Sequence, residues 1–172
     1  MRVPRTFVFV DLSGFTNYTA AFGDDAAGRI LSTFRGIVRT VASDRGVRIA
    51  KWLGDGCMVV AVDQGDAIEF VLDLEQLATD VCTPLTIRAG LATGHALLFE
   101  GDDYIGPAAN HAARLCEAAA PGEVFAVGVT PHLPDWIEIV CETKVQAHGL
   151  GELPKVSKLA VSDSVVGRRT AS

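Results

Sequence analysis

Two apolar runs that each lead to an aspartate constrain this chain most. Phe7-Val8-Phe9-Val10 stops at Asp11, and Gly54-Asp55-Gly56 separates the apolar run Val47 to Leu53 from the run Cys57 to Val62. A short, wholly apolar run is the pattern of a central strand buried on both faces. Gly-Asp-Gly between two such runs has the composition of a tight hairpin with Asp55 at its tip. An acid at the end of a strand does nothing for the core. Two of them on adjacent strands form a dense negative pocket that invites a divalent cation. Both residues also have ordinary uses, Asp55 in a turn and Asp11 as a cap, so the local pattern leaves the metal reading open.

The rest of the chain supplies elements to pack around these strands. From Asp24, the residues Ile30, Phe34, Ile37, Val38 and Val41 recur at helical spacing to a stop near Gly46, with Asp24 and Asp25 suited to the positive end of a helix dipole. Ala67, Phe70, Val71, Leu74 and Leu77 mark a second helix that ends before Pro84. Leu85 to Ala92 alternates as a strand that Ala96 to Phe99 continues. Pro107 opens a third helix, with Ala108, Ala112, Leu115 and Ala119 as its apolar stripe. Glu123 to Val127, Ile137 to Cys141 and Val156 to Val161 read as further strands. Strand, helix, hairpin, helix, strand predicts an α+β fold with a ferredoxin-like βαββαβ core, its mainly antiparallel sheet carrying helices on one face. Residues 1–161 read as one domain and 162–172 as a frayed tail.

Composition narrows the function. At 172 residues and 49% hydrophobic content the chain can bury a core without staples. Cys57, Cys82, Cys116 and Cys141 form no CxxC pair, which argues against zinc and against a disulfide framework. A net charge of −6 without a basic run argues against a nucleic-acid partner, yet a cation-bridged phosphate ligand stays compatible with it. The N-terminus lacks the pattern of a secretory leader, and no segment reaches the roughly 18 apolar residues of a membrane span, so the expected location is cytoplasmic, with no membrane partner.

Three further features bear on chemistry. Lys51 interrupts an apolar hairpin strand and needs a carboxylate or carbonyl partner, for which Asp103 is a candidate. Asn110 and Arg114, four apart, share a helix face and can grip a phosphate together with a ribose or base oxygen. Gly14-Phe15-Thr16 follows the first strand and can present backbone amides to phosphates, although it is neither a Walker loop nor a dinucleotide fingerprint.

Phe9 to Thr16, Lys51-Trp52-Leu53-Gly54-Asp55-Gly56, Arg88-Ala89-Gly90, Asp103-Tyr104-Ile105-Gly106 followed by Asn110 and Arg114, and Pro121-Gly122-Glu123 stand in one order over nearly the whole chain. Together they strongly resemble the catalytic domain of class III nucleotidyl cyclases. The resemblance implies that Asp11, Asp55 and the Leu12 carbonyl hold two divalent cations, Mg²⁺ or Mn²⁺, with Gly14, Phe15 and Thr16 near a triphosphate. It puts Lys51 and Asp103 at the purine-selecting positions, where a lysine donor and an aspartate acceptor match adenine and favour ATP over GTP. It makes Asn110 a ribose-orienting residue and Arg114 a stabiliser of phosphate charge in the transition state. It further implies a head-to-tail homodimer in which each site draws its metal acids from one chain and its purine and transition-state residues from the other.

His95 and His148 depart from the pattern, since many relatives carry arginine and lysine at these triphosphate-contacting positions. Histidine is largely neutral at pH 7, which implies weaker nucleotide binding or a rate that rises toward pH 6. Three other readings compete with an adenylyl cyclase: a nucleotide-binding or dimerisation module of the same fold without turnover, a guanylyl cyclase, and a cyclic di-GMP synthase. Lys51 and Asp103 disfavour the guanylyl enzyme, and the hairpin Leu53-Gly54-Asp55-Gly56-Cys57 lacks the Gly-Gly-Asp/Glu-Glu-Phe signature of the last.

Overall fold

In the computed structural model, which describes residues 1–100, 103–129 and 132–163, the first apolar run is the middle of β1 (Arg2–Ser13). Successive side chains of a strand point to opposite faces. Val8, Val10 and Leu12 accordingly enter one core cluster, while Phe7 enters another with Phe9 packed beside it. A strand buried on both faces needs cover on both sides, and the fold supplies it.

β2 (Arg48–Leu53) and β3 (Gly56–Ala61) form the hairpin, with a register irregularity between Ile49 and Lys51, and β3 lies antiparallel to β1. On the other side of β1 runs β4 (Thr86–Phe99), a single 14-residue strand. β6 (Val124–Val127) pairs parallel with β4, and β7 (Ile137–Ala147) and β8 (Gly151–Val161) complete the sheet order β2-β3-β1-β4-β6-β8-β7. The short β5 (Asp103–Ile105) pairs with the far end of β4.

The two helices of the βαββαβ core share one face as expected, and the helix that follows β5 takes the other. α2 (Asp24–Arg45) and α3 (Gln64–Val81) cover the Val8 side, burying Phe34, Val38, Phe70 and Leu74. α4 (Pro107–Ala118) covers the Phe7 side through Ala108 and Ala112. The reason is volume. α4 presents alanines to the sheet, and at Gly90 of β4 even a Cβ would lie 2.3 Å from the Ala112 carbonyl oxygen and 2.4 Å from the Cys116 nitrogen. That helix therefore rests on bare strand backbone, which no alternation of large apolar residues could announce.

α1 (Phe15–Phe22), in the segment read as a turn and polar linker, starts after Gly14, whose φ of 81° suits a residue without a Cβ. Ser162 and Asp163 are described, while the rest of the expected tail, 164–172, lies outside the described residues. All four cysteines are free; Cys57, Cys82 and Cys116 are buried and Cys141 is exposed. Among the described residues, no helix is long and apolar enough to cross a membrane.

Replacing Gly90 by alanine should force α4 off β4 and destabilise the fold by at least ~2 kcal/mol. Urea unfolding of Gly90→Ala beside the parent chain measures it, and a change under ~0.5 kcal/mol would contradict the close approach.

Candidate functional site

Asp11 lies near the end of β1, opposite Gly56 of β3 and opposite Arg88 of β4. Glycine at 56 is a spatial requirement: a Cβ there would sit 2.4 Å from the Val10 carbonyl oxygen and 3.3 Å from Asp11 Oδ1. The hairpin can thus press its turn against the strand end. Gly54 takes the left-handed φ of 64°, and the Leu12 amide donates to the Asp55 carbonyl at 3.1 Å, fixing the turn to β1.

Asp55 is only partly exposed. Burial, and then the neighbouring Asp11 carboxylate, push its pKa up, and the Arg88 guanidinium pulls it partly back. Arg88 Nε and Nη2 both donate to Asp11 Oδ2, at 3.1 and 2.9 Å. Its third nitrogen, Nη1, donates to the Glu117 backbone carbonyl at 3.1 Å. Cys57 and Cys116 have thiols pushed up to about 12 by burial, which removes them as nucleophiles.

A cavity of about 290 Å³ opens at these acids, lined by Asp11, Leu12, Asp55 and Arg88 on the sheet side and by Ser13, Gly14, Phe15, Thr16, Asn17 and Pro121 around it. Gly14 to Asn17 are the start of α1, where amides without helical partners and the positive end of the helix dipole favour an anion. Acids that attract a cation and amides that attract a phosphate therefore border one space.

A second group of expected residues lies elsewhere. Lys51 Nζ bonds Asp103 Oδ1 at 2.7 Å, as the sequence pairing anticipates, and that hydrogen bond holds the Asp103 pKa below its ordinary value. Both side chains are about half exposed, at 50% and 51%. Tyr104, next to Asp103, packs edge-on against Phe7 with ring centres 5.6 Å apart, tying β5 to the α4 side of the sheet. Asn110 is exposed on α4, and Arg114 Nη1 donates to both carboxylate oxygens of Glu117, at 3.0 and 2.8 Å. None of Lys51, Asp103, Asn110 and Arg114 lines the cavity at Asp11 and Asp55.

The two histidines lie at the other end of the sheet. His95 faces Pro4 across β1 and β4, seven residues along β4 from Arg88, roughly 23 Å away. His148 is exposed in the turn between β7 and β8, and the registers of β4, β6 and β8 bring that turn to the same end. One chain therefore separates the expected residues into an acid cavity and a second set away from it. Sequence reasoning missed the contacts of Arg88, whose signal was its isolation as the one charge between Leu85 and Ala92. Glu117 stands on the same polar helix face as Asn110 and Arg114 in the sequence, three residues from Arg114, and only its pairing with that arginine went unread.

No protein-family model matches the chain. An uncharacterized protein of Mycobacterium tuberculosis is 37% identical over 129 residues, covering 74% of this chain and 34% of its own length. An adenylate cyclase of Streptomyces coelicolor is 35% identical over 118 residues, covering 68% of this chain and 30% of its own length. The chain spans about a third of the length of these curated relatives. Among solved structures, the adenylyl cyclase CyaB of P. aeruginosa matches with a TM-score of 0.80 at 25% identity, over 94% of this chain and 96% of that one. The guanylyl cyclase Cya2 has the same fold, with a TM-score of 0.74 at 21% identity over 95% of both chains.

The Asp11 carboxylate beside Asp55 and the burial of Asp55 both disfavour its charged form. A raised carboxyl adds stability that is complete below its unfolded pKa and is lost as pH rises through the folded value. Asp55→Asn should therefore melt at a higher temperature than the parent at pH 7 without metal, with the gap closing as pH falls below 4. Differential scanning calorimetry at both pH values checks this, and a lower melting temperature at pH 7 would contradict it.

Proposed function

Since the chain belongs to the class III nucleotidyl cyclase catalytic-domain family, we propose that it is an adenylyl cyclase converting ATP to 3′,5′-cyclic AMP and pyrophosphate. The observation that carries the proposal is the meeting of Asp11 and Asp55, distant in sequence, in one cavity bordered by the start of α1.

The residues present fit a divalent cation of the hard, oxygen-seeking kind. Gly56 leaves the room a side chain would fill, Asp11 lies close enough to raise Asp55, and both offer carboxylate oxygens. Among the described residues no cluster of three or more His, Cys, Asp or Glu side chains forms a ligand set by itself. Two carboxylates, the Leu12 carbonyl and substrate phosphate make up the proposed donors, which suits Mg²⁺ or Mn²⁺ and does not suit zinc. When bound, such ions activate the ribose 3′-oxygen and neutralise charge on the phosphates.

The chain's own residues would do the rest. Asp11 and Asp55 hold the reacting end in place, and the amides from Gly14 to Thr16 receive the triphosphate. Lys51 would donate to the purine ring nitrogen and Asp103 accept from the exocyclic amine. That pattern fits adenine, because guanine reverses donor and acceptor on the corresponding edge. Asn110 orients the ribose, and Arg114 exchanges its Glu117 partner for the phosphate as negative charge develops there. This exposed pair within one helix is weak, worth ~0.3–0.5 kcal/mol, so a phosphate can displace it.

The separation of the two residue sets within one chain supports a homodimer in which each acid cavity faces the Lys51 and α4 region of the other copy. His95 and His148 would approach the triphosphate from that copy and, lacking the fixed charge of arginine and lysine, favour modest nucleotide affinity at pH 7. These two residues are also the observation that favours a weakly active or inactive member of the family as the second reading.

Purified chain with ATP and Mn²⁺ should form cyclic AMP at a rate that Asp55→Ala lowers by roughly two orders of magnitude or more. In the same assay, Lys51→Glu combined with Asp103→Ser should cut the ATP over GTP preference by roughly 10-fold or more. No product at any protein concentration would support the inactive reading. Intact ATP preference in the double variant would remove Lys51 and Asp103 from the purine pocket.

A further inference from the structure

Asp55 sits between Gly54 and Gly56, in a turn whose backbone has few steric limits of its own. Burial and the Asp11 carboxylate both disfavour its charge, so a loose turn would relax by swinging that carboxyl toward water. Two hydrogen bonds oppose the swing. The Leu12 amide of β1 donates to the Asp55 carbonyl at 3.1 Å, and Arg35 of α2 donates from Nη2 to the Gly54 carbonyl at 3.0 Å. Those carbonyls belong to the two peptide planes that flank the Asp55 Cα, which is thereby held from a strand on one side and a helix on the other.

An arginine at position 35 carries a cost. It is partly buried, its Nε is buried without a hydrogen-bond partner, and its Cζ lies 4.9 Å from the centre of the Trp52 ring on β2. Arg39, one helical turn on, lies 5.1 Å from the same ring, and like charges four apart on a helix repel. Methionine or leucine would cover Trp52 with no charge to desolvate. What an arginine adds is a donor long enough to reach Gly54. We propose that Arg35 is a positioning residue that braces the turn carrying Asp55 against α2, so that its carboxylate stays beside Asp11 and can share a divalent cation with it. The proposal rests on the reading of Asp11 and Asp55 as ligands of such an ion and adds to it the helix that holds one of them in place. Arg35 does not line the cavity and Trp52 packs on the α2–α3 core, so the brace acts from behind the site.

Two simpler roles for Arg35 predict different results. If it serves stability alone, by covering Trp52, its replacement lowers the melting temperature and leaves Mn²⁺ affinity unchanged. If it is only a positive charge near the site, its removal tightens Mn²⁺ binding. Positioning predicts weaker binding, since loss of the outer contacts that orient a metal ligand typically costs 10- to 100-fold in affinity. Arg39 supplies the control, because Arg39→Met removes a cation from the same ring and leaves the Gly54 bond in place.

The experiment is Mn²⁺ titration of the nucleotide-free chain, followed by electron paramagnetic resonance of the free ion, for the parent, Arg35→Met, Arg35→Gln, Arg39→Met and Asp55→Ala. Circular dichroism melts confirm that each variant is folded, and hydrogen exchange at the Leu12 amide reports the turn without metal. The expected result is a Kd raised by roughly 10-fold or more in both Arg35 variants, with faster Leu12 exchange in those two and parent-like values of both in Arg39→Met. Parent-like or tighter binding in either Arg35 variant, an equal loss in Arg39→Met, unchanged exchange at Leu12, or loss of the folded state in both Arg35 variants would overturn the proposal. Mn²⁺ binding that is absent from the parent, or equal in Asp55→Ala, would instead overturn the metal reading of the two acids, and the role of Arg35 with it.

Discussion

The structure depends on one close approach, that of the β2–β3 turn to the end of β1. Gly56 permits it by having no side chain, and the Leu12 amide holds it through the Asp55 carbonyl. The consequence is a pair of carboxylates that burial and mutual repulsion disfavour, offset in part by a backbone hydrogen bond at Asp55 and by Arg88. A fold that holds two acids together against their repulsion spends stability at that point, and such perturbed groups in a cavity are a mark of function. An ordinary turn aspartate would point into water and repel nothing.

Cover on both faces of the sheet follows from the same strand. β1 is apolar on both sides, so α2 and α3 take one face and α4 the other, and the ends of the strands are left open. The acid cavity forms at one such end, beside the start of α1. α4 can seat on β4 only because Gly90 and a stripe of alanines let backbones nearly touch. That seating brings Glu117 to Arg88, and so joins the helix bearing Arg114 to the strand bearing Asp11. The two halves of the proposed chemistry are mechanically connected within each chain, although in the proposed dimer they would serve different sites.

Much of this was legible in the sequence, for reasons that differ by residue. Asp11 and Asp55 stood out because an acid interrupts an apolar run, and the pairing of Lys51 with Asp103 was legible because a lysine in an apolar strand needs a partner. The long helices and the hairpin followed from periodicities that burial enforces. What remained hidden was decided by contacts between distant segments. The face taken by α4 depends on Gly90, and the register that sets Arg88 across from Asp11 is a property of the whole sheet. α1 escaped notice because, with no fully buried residue, it carries no strong periodic stripe. The bond from Arg114 to Glu117 is an ordinary helix-surface pair until its arginine is given a role.

The central claim is that each site is shared between two copies of the chain, with Asp55 from one and Arg114 from the other. Mixing two inactive variants, Asp55→Ala and Arg114→Ala, tests it most directly. In a head-to-tail dimer half of the mixed pairs are hybrids, and each hybrid contains one site with both residues intact. Cyclic AMP formation should therefore return to about a quarter of the parent rate after the two are mixed and allowed to exchange. A mixture that stays as inactive as its components, under conditions where sedimentation shows hybrid dimers, would contradict the shared site.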